Sequence, residues 1–190
     1  MFPWFPFIFV FVYAFLIFLA INVSQRKTLR RLIPYLPGVI RRLSFLPTYT
    51  GEYMGLKFAI TLVSGSRNSP PMITITLYKG TQLTLNITRE NPLSRFAERL
   101  GLMREVKVND PVFDDQFLIF SNHPDQARGY LVNSGIKNTV RQLFDAGFNR
   151  LSVDGKRIYT QKPCSSLNRD FIPEQVVNAL QKISLLIMEL

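Results

Sequence analysis

The sequence contains one cysteine and one histidine, and no charged side chain in its first 23 residues. A lone thiol, Cys164, excludes an internal disulfide and a cysteine-rich zinc site, and it fits a reducing compartment. GxGxxG, phosphate-loop, HExxH and GxSxG motifs are all missing, which removes the usual signatures of dinucleotide, nucleotide, zinc-protease and hydrolase chemistry. Acidic residues are missing too before Glu52. Internal repeats are not evident.

What is present at the amino terminus is a run of apolar residues, Met1 to Val23. As a helix it reaches about 33 Å, close to the roughly 30 Å hydrocarbon core of a bilayer. A secretory signal peptide would need a basic n-region, a shorter apolar core and a small-residue cleavage site. Met1 to Pro6 holds no Lys or Arg, and Leu19-Ala20-Ile21-Asn22 is a poor cleavage site, so the run is expected to be retained as a transmembrane anchor. Pro3 and Pro6 fall at the start of the helix, where a missing N–H costs nothing, and Trp4 belongs in the interfacial aromatic belt.

Charge then sets orientation. Arg26, Lys27, Arg30, Arg31, Arg41 and Arg42 all follow the apolar run and precede the first acid. Basic flanks are held on the cytoplasmic side, so the expectation is an inner (plasma) membrane protein with its amino terminus outside and its remaining chain cytoplasmic. From Glu52 onward 17 Lys and Arg face 13 Asp and Glu, an interspersed surplus of only four. That even spread argues against nucleic acid as a partner despite the net charge of +10. The six juxtamembrane cations instead suit anionic lipid headgroups, at about 1 kcal/mol each near the surface.

Three regions follow: a transmembrane anchor over 1–23, a basic amphipathic juxtamembrane segment over 24–50 and one soluble domain over 51–190. In the second, Leu29, Leu32, Ile33, Leu36, Ile40 and Leu43 recur at helical spacing, broken by Pro34 and Pro37-Gly38. Two short helical pieces with a bend are expected, lying along the headgroups or packed on the domain or a neighbouring subunit. Beyond Glu52 the period becomes two: Leu56 to Leu62, Ile73 to Leu77 and Leu83 to Ile87 alternate with polar residues and are expected to form a three-stranded antiparallel meander. Asn91-Pro92 opens a helix ending at Gly101. Val106 with Val108 suggests a short strand, and Gln116 to Ser121 another. Helices are expected from Pro124 to about Leu131 and from Ile136 to Ala146. Asp154-Gly155 signals a hairpin. From Pro173 a final helix carries the stripe Val176, Val177, Leu180, Ile183 and Ile187. The class is α+β: one transmembrane helix, then a single domain of mainly antiparallel sheet covered by helices.

No stretch assembles a catalytic or cofactor site. His123, in Ser-Asn-His-Pro-Asp, has neither a nucleophile nor an orienting acid beside it and reads as a turn residue. Asp110, Asp114 and Asp115 do not fit a calcium loop, because the EF-hand pattern would want oxygen ligands at Val112 and Gly at Asp115. Cys164 has Lys162 nearby, which would lower its pKa slightly, and reads as an ordinary loop thiol. Phe113-Asp114-x-x-Phe117-x-Ile119-Phe120-Ser121, followed by Ala127-Arg128-x-x-Leu131, resembles a segment of an uncharacterised bacterial family of membrane-anchored proteins. That family often has a pair of transmembrane helices where this chain has one, and the resemblance implies membrane anchoring without an activity.

Phe7, Phe11, Phe15 and Phe18 line one side of the apolar helix. Lipid tails reward any apolar surface almost equally, whereas stacked rings gain about 0.5–1.5 kcal/mol per pair beyond burial. Dense aromatics on one face therefore point to a contact with another subunit's helices or a flat cofactor. The function expected is a non-catalytic accessory or scaffolding subunit of a larger membrane complex. The competing class is a peripheral sensor or adaptor that binds anionic lipid or a soluble protein.

Overall fold

The computed structural model describes residues 5–41, 46–89 and 105–189, with side chains from residue 8 onward. The expected helix from Asn91 to Gly101, and Arg42 with Leu43, lie outside the described residues. An amino-terminal helix, α1 (Phe5–Arg30), leads into a single eight-stranded sheet. Its strands are β1 (Gly38–Ile40), β2 (Thr48–Tyr53), β3 (Leu56–Val63), β4 (Met72–Tyr78), β5 (Thr84–Arg89), β6 (Phe117–Phe120), β7 (Arg150–Asp154) and β8 (Arg157–Pro163). Between and after them come α2 (Pro111–Asp114), α3 (Pro124–Leu131), α4 (Ser134–Asp145), α5 (Leu167–Asp170) and α6 (Pro173–Met188). This is the α+β class read from the sequence.

All the strand pairs are antiparallel, in the order β1-β2-β3-β4-β8-β7-β5-β6. The β2–β3 hairpin closes on Met54 and Gly55, both with positive φ (53° and 75°), which matches the right-handed twist of the strands it joins. The expected meander holds only for β3 and β4. β5 lies three positions from β4, because the β7–β8 hairpin, closed at Gly155 (φ 79°), is inserted between them. Three interstrand steps are about 14 Å, within reach of the five-residue link 79–83. That link crosses the end of the hairpin and is fastened to it: Lys79 N donates to Lys156 O (3.1 Å) and Thr81 N to Gly155 O (3.0 Å).

Directly paired residues share a sheet face, so one face carries Phe58, Ile60, Leu62, Ile73, Ile75, Leu77, Leu85, Ile87, Leu151, Val153 and Ile158, all buried. α6 covers it across β4 and β8 and packs against α4, burying Val176, Leu180, Ile183 and Ile187 as its stripe demands. At the β6 end, Phe117 meets Phe113 (4.7 Å) and Phe144 (4.9 Å, edge-on).

Segment 24–50 differs from the bent helical pair read from its spacing. α1 continues without a break through Arg30, loosens into i→i+3 bonds (Arg31 N to Thr28 O, Leu32 N to Leu29 O) ahead of Pro34, and then turns into β1. Leu29, Leu32 and Leu36 join the main core at 0–3% exposure. β1 and β2 both begin before residue 51 and extend the same sheet. The physical reason is the close approach at Gly38 and Gly51, which face one another in the register. A Cβ on Gly51 would stand 2.2 Å from Pro37 O and 2.8 Å from the Phe58 ring.

Candidate functional site

Two surfaces stand out: the amino-terminal helix and the sheet face that no helix covers among the described residues. α1 is long and apolar enough to cross a membrane, and it suggests a membrane anchor. From Ile8 to Leu19 its large apolar side chains are bare on every side, Phe11 at 81%, Phe15 at 58% and Phe18 at 41% exposure. A soluble protein does not leave such a surface to water. The side chain of Phe7 lies outside the described residues.

The other half of the helix is gripped by the domain. Phe11, Phe15, Phe18, Asn22, Gln25, Leu29 and Leu32 follow one another at alternating spacings of four and three, a single seam along one face. Its upper part is bare. Below Asn22, Gln25, Leu29 and Leu32 are buried. Gln25 Nε2 donates to Ser64 Oγ (2.8 Å), Thr28 Oγ1 to Asn168 Oδ1 (2.5 Å) and Asn168 Nδ2 to Ser24 Oγ (3.4 Å). The aromatic stripe therefore prolongs the very face by which the helix docks on its own domain. Beyond the helix, Tyr35 OH donates to Glu174 Oε1 (2.5 Å), tying the following turn to the start of α6. That bond raises the tyrosine pKa and lowers the carboxylate's.

The basic residues divide. Lys27 and Arg30 fall on the side of α1 turned away from the docking seam, Arg26 lies beside the seam, and Arg31 follows the end of the helix. Lys27 and Arg30 are exposed; Arg26 Nε donates to Asn22 Oδ1 (2.7 Å). Arg31 lies over the Phe171 ring (5.9 Å) and donates to Asn168 O (3.1 Å). Arg41 is elsewhere, on the rim of the uncovered sheet face.

That face carries rows of threonine. A broad, open groove of about 1630 Å³ runs over β2, β3 and β4, with Thr48, Thr50, Thr61, Thr74 and Thr76 around Ala59. Arg41, Lys57, Glu52 and Arg157 border it. Arg157 donates to Asp154 (2.6 Å) and shares the Tyr159 ring with Arg150, at 5.4 and 5.8 Å. The alternation of β3 and β4 already marks this polar face as the one turned away from the core; which strands lie side by side beneath it, and so the groove itself, was not legible from local pattern.

The groups weighed for chemistry occupy structural positions. His123 is exposed at the head of α3, its backbone N–H held by Ser121 Oγ (3.0 Å). Asp110 caps α2 through Phe113 N and accepts from Lys137 Nζ (2.6 Å), which holds its carboxyl below the usual range. Asp114 accepts from Val108 N and Asp110 N. No group of three or more potential metal ligands occurs among the described residues. Cys164 is buried, and burial followed by the charge of Asp170 pushes its thiol up, against the smaller opposing effect of Lys162. The expected lowering by Lys162 is thus overridden; that ammonium bonds Gln175 Oε1 (2.6 Å) instead.

No protein-family model and no curated protein matches the chain. Among solved structures, the chain is similar to the crystal structure of the mycobacterial trehalose monomycolate transport factor A, TtfA, with 12% sequence identity and a TM-score of 0.52 over 84% of this chain and 83% of that one. At that identity the likeness is one of fold alone.

Proposed function

We propose that this protein is a single-pass, membrane-anchored accessory or scaffolding subunit of a larger bacterial membrane complex, without catalysis of its own. The observation that carries the reading is α1: one uninterrupted helix, bare and apolar over its first half and locked into the domain over its second. A flexible tether would only raise local concentration. A helix continuous with the domain core holds the domain at a set height and bearing on the bilayer, which is what a scaffold requires. The solved neighbour is by name a transport factor, so the favoured partner assembly is one that moves a molecule across or along a membrane. In this reading Phe7, Phe11, Phe15 and Phe18 meet a partner's transmembrane helices, and the threonine-lined face is a second surface for a partner. Arg26, Lys27, Arg30, Arg31, Arg41 and Arg42 keep the domain on the cytoplasmic side of the inner membrane and attract anionic headgroups.

The test is co-purification of the tagged full chain in mild detergent, followed by native mass measurement. A stoichiometric partner is expected, lost when the four phenylalanines become Leu, a change that keeps insertion but removes the rings. A chain that runs alone, or a partner retained at unchanged stoichiometry by the Leu variant, would refute the scaffold or the aromatic contact respectively. Protease added to right-side-out vesicles is expected to spare the domain, and cleavage there would reverse the topology.

A further inference from the structure

The way α1 seats on the sheet fixes which end of the domain meets the bilayer. Tyr49, paired with Ile60, donates its hydroxyl to Leu36 O (2.5 Å), while Gln25 bonds Ser64 (2.8 Å). From Leu36 the chain leads back through the turns of 31–35 into α1 and up to Gln25, a rise of at most about 16 Å; from Ile60 forward to Ser64 is about 13 Å along a strand. The helix, traced toward its amino terminus, therefore runs alongside β3 traced toward its carboxyl end. The β3–β4 loop, residues 64–71, continues in that direction and is pinched by the Ser66–Ser69 bridge. Its tip, Arg67-Asn68, stands up to about 10 Å beyond Ser64, level with Phe18 and Leu19 of α1 by the helix rise.

If α1 spans the bilayer, the reading on which this inference rests, that tip cannot stay in water. The loop, Ser-Gly-Ser-Arg-Asn-Ser-Pro-Pro, is polar and free of acid, hence unfit for hydrocarbon and suited to headgroups. Beside Gln25, level with Ser64, α5 is fastened to the helix by Asn168, which bonds both Ser24 and Thr28. The next residue, Arg169, has a side chain 76% exposed and an ion pair with Asp170 at 3.4 Å.

We infer that this end of the domain, the β3–β4 loop with Arg67 and α5 with Arg169, is an anionic-lipid headgroup site that seats the domain directly on the membrane. Lys27, exposed on the outward face of α1, adds a further cation at the helix base. The hydrocarbon boundary then lies near Leu19 and Ala20, with Asn22 in the headgroup layer, and the apolar run still has enough residues to cross.

The experiment uses the full chain with Cys164→Ser, reconstituted in phosphatidylcholine vesicles with or without phosphatidylglycerol. Single labels are placed at Asn68→Cys, at Lys156→Cys on the far hairpin and at Val12→Cys in the anchor. A headgroup nitroxide is expected to quench the label at 68 and not that at 156, and an acyl-chain nitroxide to quench that at 12. A quenched label at 12 with an unquenched label at 68 would overturn the seating while leaving the anchor intact. An unquenched label at 12 would remove the anchor and this inference together. Electron-spin resonance of spin-labelled lipid is expected to show preference for phosphatidylglycerol over phosphatidylcholine, falling up to about fivefold for each charge lost in R67Q and R169Q. Equal association of the two lipids with the unaltered chain would refute the anionic specificity.

Discussion

Replacing Leu32 with Ala tests whether the basic segment after the anchor belongs to the membrane surface or to the core. Leu32 is fully buried and shares one core with Leu29, Leu36, Tyr49 and Phe58, whereas its neighbour Ile33 is 58% exposed. Truncating a buried leucine removes its transfer free energy and leaves a cavity, together about 2.7–5.0 kcal/mol. Each kcal/mol lowers Tm by about 2–4 °C in a domain of this size, so L32A, at about 3–4 kcal/mol, should melt roughly 6–16 °C below the unaltered protein. Ile33→Ala, one residue along, should stay within about 0.5 kcal/mol. The assay is thermal unfolding of the full chain in mild detergent, followed by near-ultraviolet circular dichroism, with Leu62→Ala as a core control. Were Leu32 a headgroup-facing residue, L32A and Ile33→Ala would melt alike while Leu62→Ala fell. That pattern would refute the docking of α1 on the sheet.

Three further outcomes follow from particular contacts. Gly51→Ala should destabilise by about 1–3 kcal/mol, because the added Cβ collides with Pro37 O and the Phe58 ring; urea midpoints that do not move would count against the β1–β2 register. Asp110 is held below its ordinary pKa, first by Lys137. A depressed folded-state pKa contributes stability that is present above the unfolded value, near 3.9, and is lost as pH falls through the folded value. The slope of stability against pH below about 4 should therefore flatten in Asp110→Asn, and identical slopes would remove the ion pair from the account. Cys164, with its thiol pushed up by burial and Asp170, should be alkylated at pH 8 far more slowly than a free thiol and at the ordinary rate once unfolded, as mass spectrometry would record.

Much of the fold was legible wherever a pattern is local. The alternation of β3 and β4, the β7–β8 hairpin at Asp154-Gly155 and the stripe of α6 each depend on neighbours in sequence. Where the fold depends on distant pairing, local pattern was blind. β5 follows β4 after five residues and looks like the next strand of a meander, yet its partners are β6 and β7. β1 and β2 carry Gly38 and Gly51, poor strand residues on propensity, chosen because backbone and rings come close there. For the site, the spacing of Leu29, Leu32 and Leu36 was visible, but whether lipid or the protein's own sheet covers it was not. One signal lay in plain sight: Asn22 and Gln25 are polar residues on an otherwise apolar seam, placed where the helix passes from bare to buried.

Between Phe7 and Ile33 the chain has no glycine and no proline, so α1 has no joint between its bare half and the half keyed to the domain by Gln25, Thr28 and Leu29. A helix of this kind works as a drive shaft. Were the exposed half rolled or tilted by a neighbour, the motion would be passed on to the domain, and a turn of a few degrees at the helix would swing the far hairpin at Gly155 through a longer arc. Motion in the membrane would thereby become displacement of a surface well clear of it, with no ligand or bond change in between.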